Sequence, residues 1–197
     1  KRPIVVAHAN GHLMNVNTAM LRIAEITRDN EVEGVVKFAA GYAQAGEPTG
    51  ELQEPAAMFL VLRKVGNAGL LAPMTEAGVR SFARLACRQG VTTATDLVNK
   101  LAEDDVRVLE AALSDDAVSI RILPAFQAFH GTHAAQAGAE HVKALMARNT
   151  DRLRYGLVKM MLDGSIQGFS ARLRWPGHFN GAPNGIWVMA PAQYEAD

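Results

Sequence analysis

The second half of the chain alternates between short apolar runs and amphipathic segments, and this alternation constrains the fold more than any other feature. The pattern predicts strands near 91–96, 118–123 and 157–162, with helices over 104–113 and 134–147 between them. Strands joined by crossover helices run parallel, with right-handed connections and with both faces of the sheet covered. The sequence therefore predicts a βαβαβ unit in an α/β protein.

Such a unit occurs in open sheets and in closed barrels. No glycine-rich phosphate loop follows any of the predicted strands, so a nucleotide-binding open sheet has no support. Three strands cannot close an eight-stranded barrel, which takes about 250 residues. We therefore expect a partial (β/α)8 TIM barrel that is incomplete in this chain of 197 residues.

The first part of the chain is less regular. Its predicted elements are a strand over 3–8, a short helix capped by Asn17 and Thr18, a hairpin-like excursion over 27–50, and helices over 56–65 and 76–88. We expect residues 1–70 to be an inserted, irregular α/β segment that shapes the pocket. Residues 71–197 would then hold the partial barrel and a C-terminal loop.

Charge and composition exclude several classes of partner. Twenty basic residues balance twenty acidic ones, so no net field attracts a phosphate backbone, and we expect no nucleic acid. No apolar run approaches the roughly 20 residues that span a bilayer, and we expect no membrane partner. The single cysteine excludes a disulfide framework and favours a cytoplasmic protein. Since a strand already begins at residue 3, we expect an internal piece of a longer protein.

Lys159 introduces a cation into the apolar run 157–162, which a parallel sheet would bury on both faces. Two interpretations stay open. The lysine could pair with Asp163 or Asp96, or extend its ammonium past the strand end. Alternatively, burial favours the neutral amine, which can act as a base, form a Schiff base or take up carbon dioxide.

The histidines give weaker signals. His130 and His133 have HxxH spacing, but they lie in a glycine-containing loop with no helix to fix both rings, so the spacing is a weak zinc signal. His130 could instead line a pocket mouth after the second strand. His12 lies between a strand and a helix and is either a loop residue bonded to backbone or a pocket residue. Glu54 stands near a helix start, where the macrodipole alone would explain a carboxylate.

Several motifs, taken together and in order, resemble the metal-dependent amidohydrolases, specifically the branch similar to N-substituted formamide deformylases. The resemblance covers nearly the whole chain. Its motifs are Gly11-His12 with Val16-Asn17-Thr18-Ala19, Gly46-Glu47-Pro48-Thr49-Gly50-Glu51-Leu52-Gln53-Glu54-Pro55, Gly90-Val91-Thr92-Thr93 with Asp96, and Val158-Lys159 with Asp163-Gly164-Ser165.

The resemblance implies a distorted barrel of the metallo-dependent hydrolase type that binds one or two divalent metals, usually zinc, and cleaves a C–N bond. In the family, a strand-four lysine that is usually carboxylated helps to hold the metal, and Lys159 matches it. The histidine and aspartate ligands of the family would lie outside residues 1–197. By resemblance, His12, Asn17 and Glu54 belong to the excursion that shapes the substrate pocket.

We therefore expect Lys159 to be both the metal ligand and the catalytic residue of a hydrolase acting on an amide or formamide-type C–N bond. His12, Asn17, Glu54 and His130 are the expected substrate-binding residues. The partner is a small-molecule substrate, and a homodimer is left open. Two alternatives remain: a non-catalytic α/β module that binds a small ligand, and a Schiff-base barrel enzyme. The aromatic stretch 175–181 predicts either an apolar substrate surface or a loop packed by its own rings.

Overall fold

The computed structural model describes residues 2–65, 73–128 and 134–196, which form two compact units. The first unit contains residues 2–65 and 162–190, and the second contains the remaining described residues. Residues 162–190 thus follow the last barrel-like strand in sequence but pack with the N-terminal part. The predicted division into 1–70 and 71–197 stays a prediction.

The first unit is a four-stranded antiparallel sheet with two helices. Its elements in chain order are β1 (Val5–Ala7), β2 (Leu13–Val16), α1 (Thr18–Ile23), β3 (Val35–Lys37), β4 (Pro48–Gln53) and α2 (Glu54–Val65). The strand order is β1-β2-β4-β3. The core lies between the sheet and the helices, with Met14, Met20, Leu52 and Val61 almost fully buried.

Two hairpins build this sheet. The predicted excursion over 27–50 is a hairpin, because β3 pairs antiparallel with β4. The segment after His8 was expected to be a loop, but it turns at Gly11 and returns as β2, which pairs with β1. Met14 and Val16 are buried on one face of β2, and this period-two signal is too short to stand out in the sequence.

The second unit is a parallel α/β arrangement, as predicted. Its elements are α3 (Glu76–Arg88), β5 (Thr93–Asn99), α4 (Glu103–Leu113), β6 (Arg121–Ala128), α5 (Ala134–Leu145) with a 3₁₀ turn (Met146–Arg148), β7 (Leu157–Met160) and α6 (Pro191–Ala196). The sheet order is β5-β6-β7, and both pairings are parallel. Leu101, Val106, Ile120 and Leu153 are among its most buried side chains.

The central strand differs from its predicted bounds. β6 was expected to end before Pro124, but it continues to Ala128, and Ala125 and Ala128 are buried. The register of β5 against β6 shifts between Asp96 and Asn99, directly after the pair Asp96–Pro124. Proline has no amide proton to donate to the neighbouring strand, so within a sheet it is tolerated at irregular positions of this kind. Asp96 lies within β5, which continues past the predicted end at 96 to Asn99.

The strand that carries Lys159 is less buried than expected. Leu157 is 39% exposed, and Val158, Lys159 and Met160 are half-buried. The reason is that β7 lies at one edge of the sheet among the strands in the described ranges.

Within residues 2–65, 73–128 and 134–196, no helix combines the length and the apolar character needed to cross a bilayer.

Candidate functional site

Lys159 lies near the carboxyl end of β7, opposite Gln127 of the central strand β6. Gln127 Nε2 donates to Met161 Sδ at 3.1 Å. The ion pairs found among residues 2–65, 73–128 and 134–196 do not include Lys159. Within the described residues, the interpretation of Lys159 as the partner of a carboxylate therefore has no contact to support it.

The most buried ionisable group of the first unit is the Glu54 carboxylate. Glu54 begins α2 and is 1% exposed. His12 Nδ1 lies 2.9 Å from Glu54 Oε2 and 3.2 Å from Oε1, and the His12 side chain is 22% exposed. The Ser170 hydroxyl donates to Glu54 Oε1. The structure thus brings together two predicted site residues, His12 and Glu54, and adds Ser170 to them.

Backbone contacts fix this cluster in place. The Glu54 amide donates to the His12 carbonyl at 2.8 Å, so the two residues are joined through main chain and side chain. Ser170 Oγ accepts from the Ser165 amide at 3.1 Å, and the Ile186 amide donates to the Ser170 carbonyl at 2.8 Å. The hydrogen bonds from His12 and Ser170 satisfy the Glu54 carboxylate, as the burial of a charged group requires.

The loop that follows β7 lies very close to the Glu54 side chain at Gly164. A Cβ on Gly164 would lie 2.4 Å from Glu54 Oε1 and 2.5 Å from Ser170 Oγ, so only glycine fits there. Glu54 and Phe169 both have positive φ angles, 64° and 56°, and Phe169 directly precedes Ser170. Non-glycine residues in this region of φ carry strain that concentrates at functional sites.

Sequence reasoning missed Ser170 and Gly164 as partners of Glu54. A signal was present in the small residues that recur after β7, namely Gly164, Ser165, Gly168 and Ser170. In the sequence, Ser165 stands out only as part of the Asp163-Gly164-Ser165 motif, and Ser170 belongs to none of the motifs. In the structure, Ser170 donates to a carboxylate and not to a histidine, so it lacks the base that a serine nucleophile needs.

Asn17 makes its side-chain contacts with backbone groups. Its Oδ1 caps α1 by accepting from the Met20 amide at 3.1 Å, and it also accepts from the Ile4 amide at 3.1 Å. Its Nδ2 donates to the Arg2 carbonyl at 2.8 Å. The predicted cap is confirmed, and these contacts tie the residues that precede β1 to the start of α1. The assignment of Asn17 to substrate binding stays a prediction.

His130 and His133 lie outside the described residues. Asp163 Oδ2 accepts from the Arg172 amide at 2.8 Å, and the Arg172 guanidinium stacks 4.7 Å above the Trp187 ring. Asp163 therefore organises the long loop that follows β7.

The aromatic stretch in this loop is largely open to solvent. Trp175 and Phe179 are each 94% exposed. The Phe169 ring packs edge-on against His178 and Phe179, at centroid distances of 5.7 and 5.6 Å. His178 is buried and its Nε2 lies 2.9 Å from the Ala171 carbonyl. The exposed Trp175 and Phe179 rings are compatible with an apolar substrate surface, and the Phe169–Phe179 contact is compatible with a loop packed by its own rings.

A cavity of about 590 Å³ lies in the first unit. Its lining includes Leu13, Gln53 and Phe169, but His12, Glu54 and Ser170 are not among the lining residues. Gln167 and Asn180 add amide groups to the wall. The size suits a small organic molecule.

A polar cluster in the second unit contains the buried Tyr155 and the half-buried side chains of Arg148 and Glu110. Arg148 Nη2 donates to Glu110 Oε2 at 2.6 Å, and this bond raises the pKa of Arg148 above its ordinary value. Burial, reinforced by the Glu110 charge, raises the pKa of Tyr155 to about 12. Among the described residues, Tyr155 Oη and Glu110 Oε1 are buried without a hydrogen-bond partner.

No metal centre is complete in this part of the chain. The described ranges contain no group of three or more His, Cys, Asp or Glu side chains that could hold a metal ion.

Comparison with known protein families gives a match. A family model described as Amidohydrolase family matches residues 1–184. Neither the curated proteins nor the solved structures contain a match to the chain.

Proposed function

The chain belongs to the amidohydrolase family, and we propose that it is part of a metal-dependent hydrolase that cleaves an amide or formamide-type C–N bond with metal-activated water. The observation that carries this proposal is the match over residues 1–184, which includes β7 and Lys159. The parallel β5-β6-β7 sheet is compatible with one part of a (β/α)8 barrel, and we propose that the remaining strands complete it.

Lys159 is the residue that we assign to the metal. Its place near the carboxyl end of a parallel strand supports the assignment, because α/β folds build their sites at that edge. A neutral lysine amine adds to carbon dioxide, forming an N–C bond and releasing one proton, and the resulting carbamate offers two oxygen ligands. Oxygen donors of this kind suit zinc and other divalent ions.

The described residues do not form a metal site by themselves, since Lys159 stands without a cluster of other ligands there. The proposal therefore gives this part of the chain one ligand. When bound, the metal supplies a water molecule whose pKa is lowered toward 7. The overall reaction adds water across the C–N bond and yields a carboxylic acid and an amine.

His12, Glu54, Asn17 and His130 are the substrate-pocket residues of the proposal. The contact between His12 and the buried Glu54 carboxylate supports grouping the first two. The exposed Trp175 and Phe179 rings support an apolar or aromatic group on the substrate.

The metal content of the full-length protein tests the proposal. Mass spectrometry should find one or two zinc ions in the wild type and a loss of metal in Lys159→Ala. Lys143→Ala removes an exposed lysine from α5 and should keep the metal. A metal-free wild type would refute the proposal and favour the non-catalytic ligand-binding module. Metal retained in Lys159→Ala would refute the role of Lys159.

Formanilide is a suitable first substrate because it combines a formamide with an aromatic ring. Release of aniline by the metal-loaded wild type should be absent in Lys159→Ala. Trapping by borohydride with a carbonyl compound would instead identify a Schiff-base lysine. That result would contradict the hydrolase proposal.

A further inference from the structure

The two faces of the antiparallel sheet in the first unit have different neighbours. Met14 and Leu52 are paired across β2 and β4, and both lie in the core formed with the helices. Successive side chains of a strand point to opposite faces, so the next pair, Leu13 and Gln53, lies on the other face together with Glu51. All three line the cavity of about 590 Å³. The cavity therefore lies on the face of the sheet that is turned away from the core.

The loop that follows β7 supplies the opposite wall of this cavity. Phe169, Asn180 and Ile186 of the loop are among the lining residues. The Ile186 amide donates to the Ser170 carbonyl at 2.8 Å, and Ser170 is bonded in turn to the buried Glu54 carboxylate. The sheet and this loop belong to the same compact unit. Both walls of the cavity are thus fixed within one unit.

The charged side chains that line the cavity are both carboxylates, Glu33 and Glu51. Glu51 is half-buried, and its Oε1 accepts a hydrogen bond from Gln53 Nε2 at 2.7 Å. The ion pairs found in residues 2–65, 73–128 and 134–196 include neither carboxylate. A ligand that displaces water from the cavity strengthens the field of these charges, and that field favours a cation.

The rest of the lining is apolar or carries amide groups. Val36, Phe169 and Ile186 present apolar surface, and the amide side chains belong to Gln53, Gln167 and Asn180. An ammonium group donates up to three hydrogen bonds, and carboxylate and amide oxygens accept them. The lining therefore matches a molecule that joins an ammonium group to an apolar body.

We propose that this cavity binds an organic ammonium ion, with Glu51 pairing with the charged nitrogen and the apolar walls enclosing the rest of the molecule. The proposal goes beyond the hydrolase function and does not depend on it, because it uses residues of the first unit alone and needs no metal. A protein that hydrolyses no amide can still bind the amine, so the two proposals fail separately.

The first test compares two ligands of the same shape by calorimetric titration of the full-length protein. Benzylamine is protonated at neutral pH, whereas benzyl alcohol has the same ring and chain length without the charge. We expect benzylamine to bind at least about tenfold more tightly than benzyl alcohol, because a hydrogen bond to a charged group contributes more than a neutral one. Equal affinities, or no binding of benzylamine, would overturn the proposal.

The second test assigns the charge to Glu51. Glu51→Gln keeps the size of the side chain and should weaken benzylamine binding about tenfold. Glu31→Gln removes the same charge from an exposed residue of the same unit that does not line the cavity, and it should keep the affinity. Equal effects in the two variants would refute the pairing. Should Glu51→Gln fail to fold, Glu33→Gln, at an exposed lining residue, should still weaken binding.

The third test places the ligand in the cavity. Ala182 is a half-buried lining residue, so Ala182→Leu fills part of the space and should weaken benzylamine binding. Ala39→Leu adds the same atoms at an exposed position outside the lining and should have no effect. Unchanged binding in Ala182→Leu would overturn the location. Displacement of benzylamine by magnesium chloride beyond that caused by sodium chloride of equal ionic strength would identify an inorganic cation site and contradict the proposal.

Discussion

Ser170 donates its hydroxyl proton to the carboxylate of Glu54, across 116 positions of sequence. This bond ties the loop after β7 to the first turn of α2, both of which lie in the first unit. It satisfies one oxygen of a charge that is almost fully buried, while His12 satisfies the other. A buried carboxylate persists only with such partners, so the pair determines how the loop packs.

The close approach of Gly164 to this pair predicts the effect of a single methyl group. Gly164→Ala would place Cβ 2.4 Å from Glu54 Oε1 and should lower the free energy of unfolding by about 1–3 kcal/mol. Urea denaturation of the full-length protein measures the change. Gly78→Ala, within helix α3, adds the same methyl group where the nearest contact is the Thr75 hydroxyl at 3.2 Å, and it should cost much less. Equal losses in the two variants would contradict the packing of Gly164 on Glu54.

Removal of the Tyr155 hydroxyl should increase the stability of the protein. Its buried Oη has no partner in the described part of the chain, so Tyr155→Phe should raise the free energy of unfolding by about 1 kcal/mol at neutral pH. Thermal or urea unfolding would detect the change. A clear loss of stability in Tyr155→Phe would mean that the hydroxyl has a partner.

The raised pKa of Tyr155 should also make the free energy of unfolding depend on pH in the alkaline range. The folded pKa of about 12 lies above the unfolded value near 10. The folded state therefore holds the phenol proton more tightly, and this contribution to stability is complete below pH 10 and is lost as the pH rises through 12. The free energy of unfolding should fall more steeply over this range in the wild type than in Tyr155→Phe. Parallel pH profiles would refute the prediction.

Asn17 allows its two proposed roles to be separated. Asn17→Ala removes the cap of α1 and should cost about 0.5–2 kcal/mol of stability. Asn17→Asp keeps the acceptor for the Met20 amide and should recover most of that loss. If Asn17 binds substrate as well, the KM for formanilide should rise in both variants. An unchanged KM would leave Asn17 with the structural role alone.

The alternation of apolar runs after Gly90 was enough to predict the parallel sheet. α3 was predicted with its observed bounds, because Thr75 and the flanking glycine are local capping signals. Local hydrogen bonds of this kind depend on neighbours within a few residues, and sequence patterns record them. The prediction failed at Pro124 because the register shift that accommodates it lies on another strand, β5.

The sequence by itself determined the α/β class, the capping residues, the family resemblance and the candidates Lys159, His12 and Glu54. Only the tertiary structure decided that Glu54 is buried, that His12 Nδ1 faces it, and that Ser170 and Gly164 complete its surroundings. A helix-start glutamate has a sufficient local explanation in the macrodipole, so its sequence gives no sign of burial. Burial and pairing depend on residues far apart in the chain, and their contacts exist only after the strands and loops have packed.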